Sequence, residues 1–437
     1  MKSRNASLNN SKANMKKSLA FLLLFLMSWS VNGQVFDLPC DDLDYQESVR
    51  TVLLYADGNQ NKDPIIPLDQ PTRRLTLSFD ILGTKSEVLN YTFIHCTNDW
   101  FPTEIQRYNY ATGYDYGRID AFEFSRNTLV DYVHYELRFP EADMLPVLSG
   151  NYLLIVYGDD LSDVYFTRRF MVLDERAAIN ASVPRYCDDL KLSDTHQQLN
   201  ITVNMSSIMG GNIQQYSNLT IRQNGRWDNA TVGLKPSFVY PDYISYEHQP
   251  LTVFEASNQY RKVNFSDFYY QSENIARITQ MDSYYVIDYA ICESRARKPY
   301  VTYDDLHGEK FVYVDNEGLE TNTEADYAWV NLFLRWPYPL ENQDVYVMGA
   351  ANDWRFDERN LMRYDYELHG YLCQLFLKQG YYNFLFATAD HDTGLVSTEM
   401  TEGNYWDTNN LYKIYLYYFN AAKGYDELIG YTTVTSH

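Results

Sequence analysis

The chain has 437 residues, and its 58 acidic residues exceed its 36 basic residues, so the formal net charge at pH 7 is −22. Such an acidic chain repels phosphate backbones, which excludes nucleic acid as a partner. The length predicts two or three domains, each large enough for its own hydrophobic core. The 41 tyrosines are assigned mainly to strands, whose pleated surfaces suit aromatic side chains, and a share in a partner interface stays open.

The N-terminus carries the pattern of a secretory signal peptide. Two lysines precede the apolar run Leu19–Met27, which is too short to span a bilayer, and small residues follow up to Gly33. We therefore predict a signal peptide at residues 1–33, a mature chain that begins at Gln34, and Met15 as an alternative start. No later apolar run approaches the roughly 20 residues of a membrane helix, so we expect no direct membrane span.

Five cysteines are spread along the chain: Cys40, Cys96, Cys187, Cys292 and Cys373. Their wide spacing, without a CxxC pair, predicts neither a zinc site nor a disulfide framework. We expect buried free thiols, while one pair that joins Cys40 to a distant partner stays open. Lipid attachment at Cys40 is the alternative to a free exported protein, but the preceding Asp37–Pro39 lacks the small residues of a lipid-attachment signal.

The first predicted domain, residues 34–174, consists of short strands with alternating apolar residues and Gly or Asp turns, a spacing typical of a β-sandwich. Its predicted strands are Val49–Tyr55, Pro64–Leu68, Leu75–Phe79, Leu89–Cys96, Phe122–Asn127, His134–Phe139, Asn151–Tyr157 and Val164–Leu173. No helix of ordinary length is predicted. The pattern indicates an immunoglobulin-like sandwich.

The second predicted domain, residues 175–319, begins after a crossing segment, Glu175–Pro184. Its predicted strands include Gln198–Met205, Asn218–Arg222, Leu251–Phe254 and Tyr260–Phe265. The polar and acidic stretch Asp304–Glu324 follows, and its second half is predicted to link to the third domain.

The third predicted domain, residues 320–437, shows the plainest strand alternation. Leu372–Leu377 and Tyr381–Phe386 both alternate, and Gly380 lies between them, so we predict an antiparallel hairpin. A strand, a loop that contains Trp354, and this Gly-led pair resemble the early-set immunoglobulin-like sandwich that sugar-binding modules share. The chain as a whole is therefore predicted to be all-β, with tandem immunoglobulin-like or early-set β-sandwich domains.

A search for catalytic chemistry finds no motif of the types GxSxG, HExxH, Walker loop or GxGxxG. His95 and Cys96 are adjacent, and neighbouring strand residues point to opposite faces, so we expect a hydrogen-bonded core His95 instead of a shared metal. Asp188–Asp189 and Asp304–Asp305 are interpreted as solvated turn charges, with Ca²⁺ binding as the alternative. We expect no enzymatic activity, no metal and no cofactor.

Nine distinctive strings follow one another along the chain. They are Pro64–Leu68 (PIIPL), Leu75–Asp80 (LTLSFD), His95–Trp100 (HCTNDW), Arg168–Asp174 (RRFMVLD), Thr195–Gln197 (THQ), Gln223–Ala230 (QNGRWDNA), Glu324–Tyr327 (EADY), Leu377–Asn383 (LKQGYYN) and Tyr425–Tyr431 (YDELIGY). In these strings and in their order the chain resembles the type IX secretion system plug proteins of Bacteroidota, from about Val49 to Tyr431.

This resemblance implies a periplasmic protein that occludes the inner mouth of an outer-membrane β-barrel translocon when no cargo is present. The partner would then be that barrel protein, and the chain would be peripheral to the outer membrane through it. The chain departs from the family pattern at Asn258–Asn264, where Arg261 is kept but two acidic residues are missing, and at Asn409, where the family has a glutamate. Both departures place salt bridges at those positions in doubt.

Five residues are candidates for the partner interface. Arg226, Trp227 and Asp228 lie in the QNGRWDNA string, and Trp100 and Trp354 follow strands in predicted loops, where large aromatic residues can anchor a partner. The alternative for each is packing inside its own domain, with Arg226 and Asp228 forming local hydrogen bonds.

Two other functional classes stay open. A secreted carbohydrate-binding protein with a glycan ligand would place Trp354, Tyr364 and Tyr366 on one open face. A periplasmic enzyme would need a deep pocket with convergent histidine and carboxylate side chains.

Overall fold

The computed structural model describes residues 38–70, 72–205 and 212–437. Strands make up 45% of the structure and helices 5%, which confirms the predicted all-β class. The predicted signal peptide and the predicted start at Gln34 lie outside the described residues. Within the described ranges no helix is long and apolar enough to cross a membrane.

Ten strands and one short helix form the N-terminal part of the described chain. They are β1 (Leu43–Asp44), β2 (Val49–Ala56), β3 (Ile65–Pro67), β4 (Leu75–Leu82), β5 (Leu89–Cys96), α1 (Arg107–Tyr110), β6 (Gly117–Ile119), β7 (Phe122–Phe124), β8 (Tyr132–Phe139), β9 (Gly150–Tyr157) and β10 (Val164–Leu173). One sheet has the order β1-β10-β9-β5-β6, with β3 on β10, and the other has the order β2-β4-β8-β7. Their apolar faces meet in the first core, where Phe79 and Phe166 lie 4.8 Å apart between ring centroids.

The described residues in the middle of the chain form eight short strands. They are β11 (Ala178–Ser182), β12 (His196–Gln198), β13 (Asn200–Asn204), β14 (Ser217–Gln223), β15 (Thr231–Leu234), β16 (Phe238–Val239), β17 (Tyr243–Ser245) and β18 (Val253–Glu255), with the helix α2 (Ile213–Tyr216) before β14 and a 3-10 helix at Pro250–Thr252. The strands β11-β13-β17-β16 form one sheet, and β12 pairs with β18.

The C-terminal part contains the longest strands. They are β19 (Arg261–Asn264), β20 (Ile275–Gln280), β21 (Tyr285–Tyr289), β22 (Lys310–Val312), β23 (Tyr327–Arg335), β24 (Gln343–Met348), β25 (Leu361–Asp365), β26 (Gly370–Lys378), β27 (Gly380–Asp390), β28 (Val396–Ser397), β29 (Leu411–Asn420) and β30 (Tyr425–Thr435), with α3 (Thr321–Glu324) before β23 and a 3-10 helix at Ala350–Asn352. The pairing path β19-β27-β24-β25-β26-β23-β21-β20 encloses the third core, which contains both Val330 of β23 and Phe386 of β27.

The last two strands do not join the third core. β29 pairs with β14 and β30, so that the sheet β15-β14-β29-β30 lies in the middle part of the structure. The second core accordingly joins Ile201 and Ile221 to Ile414 and Ile429, which lie about 200 positions later in the chain.

The predicted domain boundaries near Asp174 and Leu319 stay predictions. The chain passes from strands of the first core to strands of the second core between β10 and β11, at the first of these positions. Four pairs of strands cross the second position: β14 with β29, β19 with β27, β22 with β27, and β21 with β23.

The predicted hairpin of Leu372–Leu377 with Tyr381–Phe386 is wrong. β26 pairs along its whole length with β23, and β27 pairs with β24 and β19. Alternation correctly identifies both segments as strands. At Gly380, however, the chain does not turn back to pair with β26, and β27 continues with different partner strands. A Cβ at Gly380 would lie 2.4 Å from the carbonyl oxygen of Phe311, so β22 occupies the space beside this turn.

Candidate functional site

Two of the predicted interface tryptophans pack edge to face around arginine side chains. Trp100 follows β5 and Trp227 follows β14, and their ring centroids lie 5.5 Å apart at 82°. The Arg169 guanidinium lies 4.7 Å from one ring and 4.8 Å from the other, and Arg222 lies 4.0 Å from Trp227. This arrangement joins the first core to the second through cation–π contacts, each worth about 0.5–2 kcal/mol depending on desolvation.

Arg226 and Asp228 form a bidentate ion pair beside these two tryptophans. Arg226 donates from Nε and Nη2 to the two carboxylate oxygens of Asp228 at 3.0 and 2.6 Å, and it is 5% exposed. Trp227, between them, turns toward the first core. The structure thus places all three residues in internal contacts, and their role in a partner interface stays a prediction.

Trp354 packs against a small apolar cluster that is separate from the three cores and consists of Tyr260, Met348, Leu385 and Ala387. It packs against Tyr260 at 6.0 Å between centroids, and a Cβ at Gly225 or Gly308 would lie only 2.2 or 2.1 Å from its ring. Glycine is required at both positions because the indole occupies the space of a side chain. Gly225 belongs to the same string as Trp227, and Trp100 packs against Trp227, so all five candidate residues lie in or against one loop.

The open aromatic face proposed for sugar binding is not formed. Trp354 packs with Tyr260, whereas Tyr364 packs against Tyr366 and Tyr371 at 5.0 and 5.1 Å in contact with the third core. Strand alternation could not reveal this, because Trp354 is turned inward by left-handed backbone at its own position, with φ of 59°.

Trp227 and Trp354 line a cavity of about 170 Å³ that is bounded by residues of all three parts of the chain. Ten of its other 21 lining residues are charged; they include Asp63, Arg168, Arg222, Glu309, Lys310, Asp353 and Lys413. We call this set, with the two tryptophans, the charged junction. Isolated charges are costly to bury, so the ion pairs within the junction decide whether it stabilises the contacts between the cores.

Asp63 connects the first core to the second. Its carboxylate accepts from Lys413 Nζ at 2.6 Å and from the hydroxyls of Tyr431 and Tyr415 at 2.7 and 3.3 Å. Burial raises the pKa of the Asp63 carboxyl, but the charges of Lys413 and Arg222 outweigh burial and hold that pKa below its ordinary value. Asp63 is therefore an anion at neutral pH.

Arg168 connects the first core to the third. On β10 it donates to Asp44 of β1 at 2.7 Å and to Asp353 at 3.1 Å, and Asp353 also accepts from Lys310 at 3.1 Å. Burial lowers the pKa of Arg168, but Asp44 and Asp353 outweigh burial and raise it above its ordinary value.

A second ionic contact between the first and third cores lies outside the cavity, at Asp80 of β4. Its carboxylate is 1% exposed and accepts from Lys378 Nζ and His134 Nδ1 at 2.6 Å each and from the Tyr327 hydroxyl at 2.7 Å. Lys378 also lies 4.1 Å from the ring of Tyr132. Every oxygen of this buried carboxylate therefore has a donor.

Arg261 does have a salt bridge, although the missing acidic residues of its segment placed one in doubt. Glu402, which is fully buried, accepts from Arg261 Nε at 2.9 Å and from Arg295 Nε at 2.6 Å. Asn409 uses its backbone instead: its N–H donates to Gln259 Oε1 at 2.9 Å, and its carbonyl accepts from His307. The partner of Arg261 comes from a distant segment, which pattern comparison along one stretch cannot show.

Two other sequence interpretations can be checked. His95 is buried and contacts the Thr103 hydroxyl and the Ser149 carbonyl, as expected of a core histidine. Asp305 is not a solvated turn charge, because its side chain is 1% exposed and accepts the Tyr260 N–H at 2.7 Å. Across the described ranges no group of three or more His, Cys, Asp or Glu side chains is placed to hold a metal ion.

Sequence reasoning missed Asp63, Asp80, Arg168, Lys378 and Lys413. A signal was present, because four of them interrupt or end apolar alternation inside strands: LTLSFD ends on Asp80, RRFMVLD begins with Arg168, LKQGYYN contains Lys378, and Lys413 lies in LYKIYLYYF. A charge at a position that alternation predicts to be buried indicates a buried ionic partner. The identity of that partner was not readable, since each lies far away in sequence.

A family model and solved structures match this chain. Residues 49–174 match the family model described as type 9 secretion system plug protein 1st domain. A solved structure of a hypothetical protein from Parabacteroides merdae is 29% identical, covers 91% of this chain and 100% of that chain, and superposes with a TM-score of 0.86. Dimeric latent PorU from Porphyromonas gingivalis has 11% identity over 89% of this chain and 34% of that chain, but its TM-score of 0.15 carries no argument. No curated protein matches.

Proposed function

We propose that this chain, which belongs to the type IX secretion system plug family, is the periplasmic body that closes the outer-membrane translocon barrel of that system while no cargo passes. The family match supports an envelope protein of this secretion system. The finer role, occlusion of the barrel, is our proposal.

The observation that carries the proposal is the ionic locking of three cores into one body. A plug has to keep its outline when it is pressed into an opening, so hinged domains would leak. Buried contacts at Asp63, Asp80 and Arg168 each join one core to another, and each carboxylate or guanidinium involved has more than one partner. Opening any hinge between the cores would leave charges buried without partners, which costs about 3–5 kcal/mol for each broken pair.

The protein acts, in this proposal, as a stoichiometric partner and not as a catalyst. A plug that cargo displaces needs contacts that are broad but not strongly apolar, and tyrosine offers a flat ring together with a hydroxyl. The first domain, which carries the family match, exposes Tyr108, Tyr114 and Tyr116 on one loop, at 78, 68 and 59%. Arg107 holds this loop by donating to the Tyr114 carbonyl at 2.8 Å and pairing with Asp115 at 3.2 Å. We assign the barrel contact to this loop.

Deletion of the gene tests occlusion directly. We expect uptake of a large antibiotic that the intact outer membrane excludes to rise, while the abundance of the barrel protein stays constant. Affinity-tagged protein should capture the barrel from detergent-solubilised outer membranes. Unchanged permeability, together with no captured barrel, would contradict the plug role.

A matched pair of variants tests the loop. Replacing Tyr108, Tyr114 and Tyr116 with Ser should weaken capture of the barrel by about tenfold or more, the loss expected from removing aromatic anchors. The control replaces Tyr269 and Tyr270, exposed at 89 and 72% in the third part of the chain, with Ser. Both variants should melt like the wild type. Loss of capture in the control alone would show that the barrel contact lies at Tyr269 and Tyr270 and not at the proposed loop, and it would leave the plug role standing.

A further inference from the structure

Two of the five cysteines lie side by side in the interior of the protein. The sulfur atoms of Cys40 and Cys96 are 3.1 Å apart, and the residues are 4 and 0% exposed. Cys40 lies just before β1, and Cys96 is the last residue of β5. The other thiols that the structure describes each contact a backbone carbonyl: Cys187 that of His196, Cys292 that of Ala290, and Cys373 that of Arg359.

We propose that Cys40 and Cys96 are joined by a disulfide in the exported protein, formed by exchange with the disulfide of a thiol–disulfide oxidoreductase. A disulfide bond is about 2.05 Å long, so the two sulfurs have to approach by only about 1 Å, a change that small side-chain rotations supply. The predicted signal peptide directs the chain to a compartment in which disulfides persist. The proposal needs export, but it does not depend on the plug role.

The chemistry requires two successive exchanges. The Cys40 thiolate attacks one sulfur of the carrier disulfide, which forms a mixed disulfide and releases one carrier thiolate. The Cys96 sulfur then attacks Cys40 Sγ in the mixed disulfide, and the second carrier thiolate leaves. The two protein thiols lose two protons and two electrons in total. The carrier disulfide takes up these electrons and protons and becomes a dithiol.

The local electrostatics assign the two thiols different roles. The hydrogen bond from the Cys96 thiol is the largest effect on Cys40 and lowers its pKa, whereas the same contact and burial raise the pKa of Cys96. A thiolate is the attacking species in exchange, so Cys40 is the first nucleophile and Cys96 resolves the mixed disulfide.

The bond would hold the cluster of Trp100, Arg169 and Trp227 in place. Arg169 donates from Nε to the Cys40 carbonyl at 2.8 Å, and its backbone N–H donates to Asp42 Oδ1 at 2.7 Å. A fixed Cys40 therefore fixes the guanidinium that lies between the two indole rings. The same sulfur cannot also carry a lipid, so the disulfide and lipid attachment at Cys40 exclude each other.

The test is differential alkylation of the mature protein purified from the cell envelope. Free thiols are blocked with iodoacetamide in denaturant without reductant, and the protein is then reduced and labelled with a heavy form of the reagent. We expect the heavy label on Cys40 and Cys96 alone, a cross-linked peptide of these two before reduction, and the light label on the other three. Light label on all five cysteines, or a lipid on Cys40, would overturn the proposal.

Variants separate the bond from ordinary packing. In Cys40→Ser, Cys96 should move to the light-labelled group, and the melting temperature should no longer depend on reductant, whereas it falls with reductant in the wild type. Cys373→Ser is the control, because it also removes a buried thiol; it should keep the heavy-labelled pair and the reductant dependence. If Cys40→Ser does not fold, the labelling pattern of the wild type still decides.

Discussion

Replacing Lys378 with Met should destabilise the whole body, because it removes the cation from the Asp80 contact between the first and third cores. Methionine is close to the lysine stem in length and can keep its contact with the ring of Tyr132. The Asp80 carboxylate, however, stays buried with only the His134 and Tyr327 donors. The loss therefore reports the missing charge and not a cavity.

The magnitude follows from the geometry. At the observed 2.6 Å, two unit charges in an effective dielectric of about 20 attract by about 6 kcal/mol, and this attraction offsets the cost of desolvating both ions. Removing one ion leaves the desolvation cost of the other, and such single removals cost about 3–5 kcal/mol. With an unfolding entropy of about 2 cal/mol/K for each residue, and roughly 400 residues in the compact unit, the melting temperature should fall by about 5 °C.

The loss should also depend on pH in a defined direction. In the wild type, Lys378 outweighs burial and keeps the pKa of Asp80 below its ordinary value. Without Lys378, burial raises that pKa in the folded state above its unfolded value of about 4. The penalty is then present at neutral pH and is relieved as the pH falls through the raised pKa, because Asp80 takes up a proton.

Urea unfolding followed by tryptophan fluorescence and by circular dichroism, from pH 7 to pH 5, measures both effects. Lys62→Met is the matched control, since Lys62 pairs with Asp57 at 2.8 Å but is 53% exposed; its effect should stay within about 0.5 kcal/mol. The double variant with Asp80→Asn should recover at least half of the loss. A loss in Lys378→Met that is below 1 kcal/mol, or that is the same at pH 5 and pH 7, would refute the reasoning.

Three further expectations concern other contacts. Gly308→Ala should lower the melting temperature by several degrees, because a Cβ there meets the Trp354 ring at 2.1 Å, while Gly318→Ala, with a similar positive φ but open space, should lose only the smaller cost of backbone strain. Glu402→Gln should cost about 3–5 kcal/mol in urea unfolding, since it leaves Arg261 and Arg295 without their anion; an unchanged midpoint would contradict the ionic account. The free energy of unfolding should be level near neutral pH and fall below about pH 4. Carboxylates whose folded pKa is lowered, such as Asp63 and Glu402, lose their stabilising contribution as the pH drops through that pKa. Thermal scans from pH 7 to pH 3 measure this, and a stability maximum at pH 4 would argue against it.

Local pattern predicted the strands of the first core well. Leu89–Cys96 and Val164–Leu173 have the predicted bounds because most of their residues are buried, and a run of mostly apolar residues is visible along one segment. Which strands pair with one another cannot be recognised along a single segment. Leu372–Leu377 and Tyr381–Phe386 are strands as predicted, yet each pairs with other segments, since alternation fixes the face of a strand and not its neighbour.

The candidate residues show the same limit. Trp100 and Trp227 were singled out because large aromatic residues in loops can anchor partners, and the structure brings them together at 5.5 Å, but around an arginine of β10 that no local pattern connects to them. Composition could show that the chain carries many charges, but not that Asp63 lies beside Lys413, 350 positions away. Long-range ion pairs are a property of the folded chain.

In the role that we propose, ionic locking would keep a displaceable plug rigid. Apolar cores tolerate sliding of one element on another, because dispersion contacts are exchanged at little cost, whereas a buried ion pair fixes a distance and a direction. With Asp63, Asp80 and Arg168 acting between different cores, a force from cargo on one core is transmitted to the others before any of these pairs opens. In the proposed role, the weakest contact would then be the one between the plug and the barrel. Cargo would therefore expel an intact body instead of unfolding it, and the same protein could close the barrel again.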